Sequence, residues 1–161
     1  LSNATAPTEI YTQVNSSAAS DVYKRQALSY DGLLHWEPAD PRDEAVRTAF
    51  NAHQRSDKGL GPALGPDAAR HLAGALELRG YTVSVAASPW RLGAGMEELQ
   101  AELVSGIEAA AAETGVAWAE DWASVRRLAV STSACTVGHL DVLALPGATR
   151  AQSNTTSVSS P

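Results

Sequence analysis

Five polar side chains with binding or proton-transfer chemistry fall in the loop-rich segment Asn51–Gly65: they are Asn51, His53, Gln54, Arg55 and Lys58. An imidazole can take or give a proton near neutral pH, and the two cations can hold an anionic group. Lys58 is the only lysine in Ala27–Pro146, among eight arginines, so a compact ammonium stands where the chain otherwise uses a planar guanidinium. The segment is therefore the first candidate for a binding site.

Three further candidates, Asp31, Trp90 and Arg91, follow predicted strands. Asp31 ends the short apolar run Ala27–Tyr30 at an Asp-Gly turn pair, and Trp90 comes directly after a strand that closes near Ser88–Pro89. Ligands of a doubly wound sheet bind beyond the carboxyl ends of its parallel strands. We therefore expect all eight candidates to face one crevice.

Some of these residues also have a purely structural interpretation. His53 shares a helix face with Phe50, and a lone histidine on such a face is more often packed than functional. Arg55 with Asp57 would form an exposed loop ion pair that contributes little to stability. Both interpretations stay open at this point.

Two other patterns resemble ligand sites, and for both we favour a structural interpretation. Cys135, His139 and Asp141 alternate on one face of the last predicted strand as a possible metal trio. Zinc usually has a better-defined ligand set, so a polar edge face is favoured. The glycine pairs in Gly59–Gly61 and Gly93–Gly95 lack the glycine spacing of a nucleotide-binding turn, so we interpret them as turns and helix ends.

The predicted elements alternate as strand, helix, helix, strand, helix, helix, strand, which is typical of an α/β sheet covered by helices. Asp40 is the expected N-cap of the first helix, with Pro41 at its first position, and Pro66–Asp67 begins the second. The last strand is Thr136–Leu145. Two apolar stripes predict buried helix faces in the second half: Met96, Leu99, Leu103 and Ile107, then Trp118, Trp122, Val125 and Ala129, with Arg126 and Arg127 on the solvent side.

Residues 3–26 resemble the translation of a sequencing adapter, since the codons GAT-GTG-TAT-AAG-AGA-CAG spell Asp21–Gln26. We therefore expect residues 1–26 to be non-native and without defined packing, and the natural sequence to begin inside a gene. The tail 147–161 is rich in Ser and Thr and is expected to be disordered. About 120 residues remain, enough for one domain.

The charge of the remaining segment limits its partners. Of the 12 basic and 18 acidic residues, three and two lie outside Ala27–Pro146, which leaves nine against 16, a net charge of −7. Such a segment argues against binding duplex nucleic acid or an anionic membrane, because those surfaces need clustered cations. One cysteine excludes a disulfide framework, and no signal peptide or membrane span is visible. A cytoplasmic setting is the expectation.

Four motifs together resemble the C-terminal half of a bacterial class I S-adenosylmethionine-dependent methyltransferase: Ser29–Gly32 (SYDG), Asn51–Gly65 (NAHQRSDKGLGPALG), Ser88–Gly93 (SPWRLG) and Val137–Asp141 (VGHLD). The resemblance implies an α/β fold in which residues 27–146 form the C-terminal part of a Rossmann-like methyltransferase sheet, about three strands with the last antiparallel, and flanking helices. An antiparallel last strand would bring Ser133–Thr136 to the crevice. The glycine-rich turn and the acid that hold the cofactor would both lie upstream of Ala27.

The resemblance also implies roles for the candidate residues. His53 or Asp31 would be a general base, if the acceptor carries a proton, and Arg55, Lys58 and Arg91 would anchor an anionic acceptor. Asn51, Gln54 and Trp90 would complete the acceptor site. The full-length enzyme would use S-adenosylmethionine, which this chain alone is not expected to bind.

Two expectations concern partners. A sheet cut from its neighbouring strands leaves an unpaired edge, so self-association is expected. The methyl acceptor remains open among small molecule, protein and RNA. A different class of function is also consistent with the sequence: a small non-catalytic α/β interaction module whose tryptophan-containing helices form the contact surface.

Overall fold

The structure, a computed structural model, describes residues 24–57 and 59–147, which form a four-stranded sheet with helices on both faces. The predicted order of strands and helices is confirmed, with two additions, the short strand β3 and one turn of 3₁₀ helix at Gly65–Asp67. In chain order the elements are β1 Lys24–Glu37, α1 Asp43–Gln54, the 3₁₀ turn, α2 Ala68–Glu77, β2 Tyr81–Ala87, β3 Trp90–Leu92, α3 Glu97–Glu113, α4 Ala119–Leu128 and β4 Ala134–Pro146.

The last strand, β4, lies at the centre of the sheet. It pairs antiparallel with β1 on one side and with β2 and β3 on the other. Ala87 pairs with Leu140 and Trp90 with Val137, so β2 and β3 continue in one register across the break at Ser88–Pro89. The expected antiparallel last strand is confirmed, and the sheet is complete only when this final element pairs between strands formed earlier in the chain.

Strand β1 is longer than predicted, and the prediction that it ends at Asp31–Gly32 is wrong. The Asp-Gly pair forms an irregularity inside the strand, and the chain then continues to Glu37. Leu34 and Trp36 alternate with exposed neighbours and are buried, which is the period-two pattern of a strand with one covered face. The strand also begins at Lys24, so the expectation that residues 1–26 lack defined packing is wrong for the last three of them, which pair with β4. Residues 1–23 and the tail from 148 lie outside the described residues.

Two hydrophobic cores occupy the two faces of the sheet, because successive residues of β4 point in opposite directions. Cys135 and Val137 face α1, α3 and α4 in the larger core. Val142 faces α2 in the smaller one, against Ala69 and Ala73. The sheet is therefore the middle layer of three.

The buried face of α3 differs from the predicted stripe. Met96 and Leu99 are exposed, and the buried positions are Gln100, Val104 and Ile107 together with Ala110 and Ala111. Gln100 is tolerated inside because its amide donates to the Ser133 carbonyl at 3.2 Å and its side-chain oxygen accepts from the Ser133 hydroxyl at 3.2 Å. Only the C-terminal half of the predicted stripe packs against the core.

Helix α4 also presents a different face from the one predicted. Trp122 is fully buried, but Trp118 and Val125 are exposed, and Arg126, which we placed on the solvent side, is only 4% exposed. Arg126 forms an ion pair with Asp43 and stacks over a tryptophan ring. Trp122 Nε1 donates to the same carboxylate at 2.9 Å. One acid from α1 therefore pairs with two side chains on the buried face of α4.

Helix α1 begins at Asp43, three residues after the predicted cap. The Asp40 carboxylate accepts from the Arg42 amide at 2.8 Å, and the Asp40 amide donates to the Asp43 carboxylate at 2.8 Å. Asp40 thus organises the turn before the helix without capping it directly. Its hydrogen bonds with Arg42 lower its pKa to about 2.

Candidate functional site

The predicted site residues occupy several positions instead of one crevice. Because β1 continues past Asp31, α1 starts at the far end of that strand and runs back, so that Asn51 in its last turn lies beside Gly32. Trp90 and Arg91 are neighbours on β3 and therefore point to opposite faces of the sheet. The predicted convergence of all eight residues on one crevice is wrong.

The centre of the site is a bulge in β1. Tyr30 pairs with His139 and Leu34 with Val137, so three residues of β1 stand opposite the single residue Gly138. The bulge needs the left-handed backbone of Gly32, with φ of 97°. The Asp31 carboxylate accepts from the amide of the second residue after it at 2.9 Å and lies directly over Gly138. The bulge thereby holds this carboxylate in a fixed position at partial exposure.

Asn51 ties the last turn of α1 to the bulge. Its side-chain oxygen accepts from the Tyr30 hydroxyl at 2.8 Å, and its amide donates to the Gly32 carbonyl at 3.1 Å. The Tyr30 ring packs edge-on to Phe50 with centroids 5.4 Å apart. Burial raises the pKa of the Tyr30 hydroxyl well above its ordinary value, so the hydroxyl stays a neutral donor.

Arg55 lies where the loop leaves α1, but its partner is not the predicted one. The guanidinium contacts the Asp67 carboxylate at 2.8 Å and the Asn51 carbonyl at 3.4 Å. Asp57 instead accepts from the amides of Gly59 and Gly61, at 2.7 and 2.9 Å. Hydrogen bonding to Arg55 lowers the pKa of Asp67. The ion pair joins the end of α1 to the 3₁₀ turn that leads into α2.

The loop between these elements is folded tightly against α1. Gly65 has φ of 53°, and a Cβ atom added there would lie 2.9 Å from Arg55 Cγ and 3.1 Å from the Gln54 carbonyl oxygen. Gly59 and Gly61 also have positive φ, the conformation in which turns favour glycine. Lys58 lies outside the described residues. Gln54 and Arg55 thus belong to the same surface as Asn51.

His53 lies on the side of α1 that faces α3. Its Nε2 atom is 2.8 Å from the Glu113 carboxylate, and its side chain is 17% exposed. The carboxylate fixes the orientation of the ring at the interface of the two helices. The packed interpretation of His53 is the one that this position favours.

Trp90 covers a buried histidine on the opposite side of β4 from the Asp31 carboxylate. The centroids of the Trp90 and His139 rings are 4.8 Å apart, and the Tyr30 ring approaches the same histidine edge-on at 6.4 Å. Asp141, farther along β4, accepts from the Ser88 hydroxyl at 2.8 Å. The predicted polar edge face is wrong, because β4 is the central strand and His139 is buried. Within the described ranges no cluster of three or more His, Cys, Asp or Glu side chains is placed to hold a metal.

Arg91 lines a cleft at the end of the sheet where β4 begins, which we call the sheet-end cleft. It has a volume of about 220 Å³ and is lined by His35, Glu37, Arg91, Leu92, Gly93, Ala134, Cys135 and Thr136. His35 Nε2 lies 3.5 Å from the Glu37 carboxylate. Burial raises the pKa of the Cys135 thiol to about 12, so it is not a nucleophile at neutral pH.

Sequence reasoning missed three residues that contribute to these positions, Tyr30, His35 and Glu37, whereas Thr136 belongs to the Ser133–Thr136 segment expected near the site. The alternation Leu34, His35, Trp36, Glu37 would have indicated a strand beyond the Asp-Gly pair and placed His35 and Glu37 on one face. No local pattern indicates the hydrogen bond of Tyr30, because its partner is 21 residues away on a helix.

Comparison with known proteins gives no assignment: no protein-family model, no curated protein and no solved structure matches this chain. None of the helices in the described part of the chain is long and apolar enough to span a membrane. The function therefore has to be inferred from the residues and their geometry.

Proposed function

We propose that the chain is the acceptor-side portion of a cytoplasmic S-adenosylmethionine-dependent methyltransferase. The observation that supports this best is the antiparallel pairing of the last strand, β4, which the resemblance of the four sequence motifs implies. Helices on both faces of the sheet fit the same expectation. The bulge of β1, the end of α1 and the following loop then form the acceptor surface.

The described residues do not fit the cofactor. Gly95, in the only short glycine pair that leads from a described strand into a helix, already donates its amide to the Glu97 side chain at 2.9 Å. S-adenosylmethionine would therefore be held by residues outside the described part of the chain, and the described residues would serve the acceptor alone.

The acceptor surface can position a substrate and accept a proton. Arg55 is about half exposed while paired with Asp67, so part of its guanidinium is available to an anionic acceptor. Asp31 is held by the bulge, and it fits a general base better than His53, whose ring is fixed against Glu113. Asn51 links the end of α1 to the bulge of β1 and acts as a positioning residue. Positioning of this kind supplies much of the rate acceleration in group transfer.

The test is to extend the reading frame upstream in the encoding DNA and to express the longer protein. We expect a glycine-rich strand-turn-helix in the extension, saturable binding of S-adenosylmethionine by calorimetry, and no binding by the 161-residue chain. Transfer of labelled methyl groups to a candidate acceptor should fall on Asp31→Asn, mainly in kcat. Arg55→Ala should raise KM, and Arg70→Ala, at an exposed arginine of α2, is the control. An extension without the glycine turn and without cofactor binding would overturn the proposal.

A second candidate function is a non-catalytic interaction module. The exposure of Trp118 and Val125, which were predicted to be buried, favours it, because apolar side chains at exposed positions of one helical region suit a protein contact. Upstream sequence decides between the two candidates. If the extension lacks a cofactor site, Trp118→Ala should abolish capture of a protein partner while Trp90→Ala leaves it intact.

A further inference from the structure

The sheet-end cleft carries both signs of charge on one face of three adjacent strands. Thr136 of β4 pairs with His35 of β1 on one side and with Arg91 of β3 on the other. Paired residues point to the same face, so the hydroxyl lies between the imidazole and the guanidinium, whose Cα atoms are about 10 Å apart across three strands. Glu37 follows His35 by two residues and therefore joins this face.

The balance of charge in the cleft indicates what it would hold. The Arg91 guanidinium is always charged, and the Glu37 carboxylate, on an exposed side chain, balances it. His35 is a third polar group, 3.5 Å from that carboxylate. A simple anion would meet the repulsion of Glu37, and a simple cation that of Arg91. A ligand that carries one charge of each sign satisfies both groups at once.

The size of the cleft limits the ligand further. About 220 Å³ is below the roughly 300–1,000 Å³ of pockets for drug-sized ligands, so the cleft suits a smaller ligand. A cleft of this size suits a molecule of few heavy atoms. The backbone at Gly93 leaves one wall open, since no atom lies within 4 Å of the place where a Cβ would be.

We propose that the sheet-end cleft binds a free α-amino acid, with the carboxylate on Arg91 and Thr136 and the ammonium on Glu37. The arginine offers a two-pronged contact to the carboxylate, and the threonine hydroxyl donates a third hydrogen bond. The site lies at the end of the sheet where β4 begins, and Thr136 is two residues along that strand from Gly138, over which the Asp31 carboxylate lies. It does not depend on the proposed methyl transfer.

The test is a titration of the ¹⁵N-labelled protein followed by NMR, with L-alanine, acetate and methylammonium as separate probes. We expect saturable shifts of the amides of Arg91, Thr136 and Glu37 with alanine, at an affinity about tenfold or more above that of either single-charge probe. Arg91→Gln should weaken alanine binding at least about tenfold and leave methylammonium binding unchanged. Glu37→Gln should also weaken alanine binding at least about tenfold, but it should leave acetate binding unchanged.

The matched controls are Arg70→Gln and Glu77→Gln. Each removes one charge at an exposed position of α2 and should leave alanine binding unchanged. All four substitutions are at exposed side chains, so folding is expected to persist, and the unshifted amides of β4 report on it. The proposal is overturned if alanine causes no saturable shift, if acetate binds as tightly as alanine, or if the cleft variants bind alanine like the controls.

Discussion

Gly138 is the residue at which the sheet and the candidate acceptor site depend most directly on each other. A Cβ atom added at this position would lie 2.1 Å from Asp31 Oδ1 and 2.7 Å from Leu33 Cβ. We predict that Gly138→Ala expels the Asp31 carboxylate from its place and destabilises the fold by about 1–3 kcal/mol, measured by urea denaturation. Asp31→Gly in the same protein should restore part of the loss, because only the Leu33 contact remains.

The matched control is Gly74→Ala in the middle of α2, where no atom would meet the added methyl group. That substitution should stabilise the protein by about 0.5–1 kcal/mol, since alanine favours the helix. Equal effects of the two substitutions would show that the Asp31 carboxylate is not fixed over Gly138.

Asp43 is the second residue with a large expected effect. It is the acid that faces buried Arg126, and the Trp122 indole also donates to it. Asp43→Asn keeps the shape but leaves the guanidinium without its counter-charge, so we predict a loss of about 3–5 kcal/mol in the free energy of unfolding. Glu44→Gln removes an exposed pair with Arg47 and should cost less than about 1 kcal/mol. Similar losses for both would mean that Arg126 reaches solvent.

This ion pair also shows what sequence reasoning lacks at the residue scale. The sequence pattern of its helix predicts that Arg126 faces solvent, and its partner is 83 residues away in the chain. The same holds for Arg55, whose predicted neighbour in sequence, Asp57, instead accepts hydrogen bonds from two loop amides. Residue types were a sound guide to the available chemistry, but the partners depend on the tertiary contacts.

At the scale of elements, the turn before α1 has a pH dependence that can be predicted. Hydrogen bonds from Arg42 lower the pKa of Asp40 to about 2, below its ordinary 3.8. A carboxylate with a lowered pKa stabilises the folded state fully above its unfolded pKa and loses that contribution as the pH falls towards about 2. We therefore predict that Asp40→Asn lowers stability at neutral pH and flattens the decline between about pH 4 and 2.

The measurement is urea denaturation at a series of pH values, with Glu120→Gln as the control at an exposed position in the first turn of α4. The control should keep the acid dependence of the unchanged protein. An unchanged slope in Asp40→Asn over the same acid range would contradict the assigned role of Asp40.

The elements themselves were predicted in type and order, because apolar periodicity and Gly or Pro boundaries are local signals. Their ends and buried faces were less accurate. Asp31–Gly32 has the composition of a turn, yet β4 pairs on both sides of it, at Tyr30 and Leu34, and carries the strand through. In α3 the apolar stripe that starts at Met96 is real, but the sheet covers only its later part. Which face is covered depends on neighbours that a single helix does not specify.

At the scale of the whole molecule, the three layers formed by the described residues leave part of the sheet uncovered. Beyond Asp141, on the face that carries α1, α3 and α4, the described helices do not reach the strands, and Leu143 and Leu145 are exposed. Their paired neighbours on β2, Ser84 and Thr82, are exposed as well. Among the described strands, β1 forms one edge of the sheet. An exposed apolar face next to a strand edge is a surface on which copies of a chain associate.

We therefore predict that the chain self-associates, with a sedimentation coefficient that rises with protein concentration in the micromolar range. Leu143→Glu places a charge in the middle of the uncovered face and should shift the chain towards the monomer. Leu78→Glu, at a more exposed leucine just beyond the end of α2, removes as much exposed apolar surface elsewhere and should leave association unchanged.

The comparison of these two variants distinguishes association through the uncovered face from nonspecific association through any exposed apolar surface. If both reduce association equally, apolar surface anywhere on the molecule is responsible, and the uncovered face has no particular role. If the unchanged chain is a monomer at all concentrations with a sharp cooperative melt, the sheet is stable without further cover. That result would count against a sheet that belongs to a larger methyltransferase domain and in favour of an independent interaction module, in which exposed Trp118 would be the residue to test next.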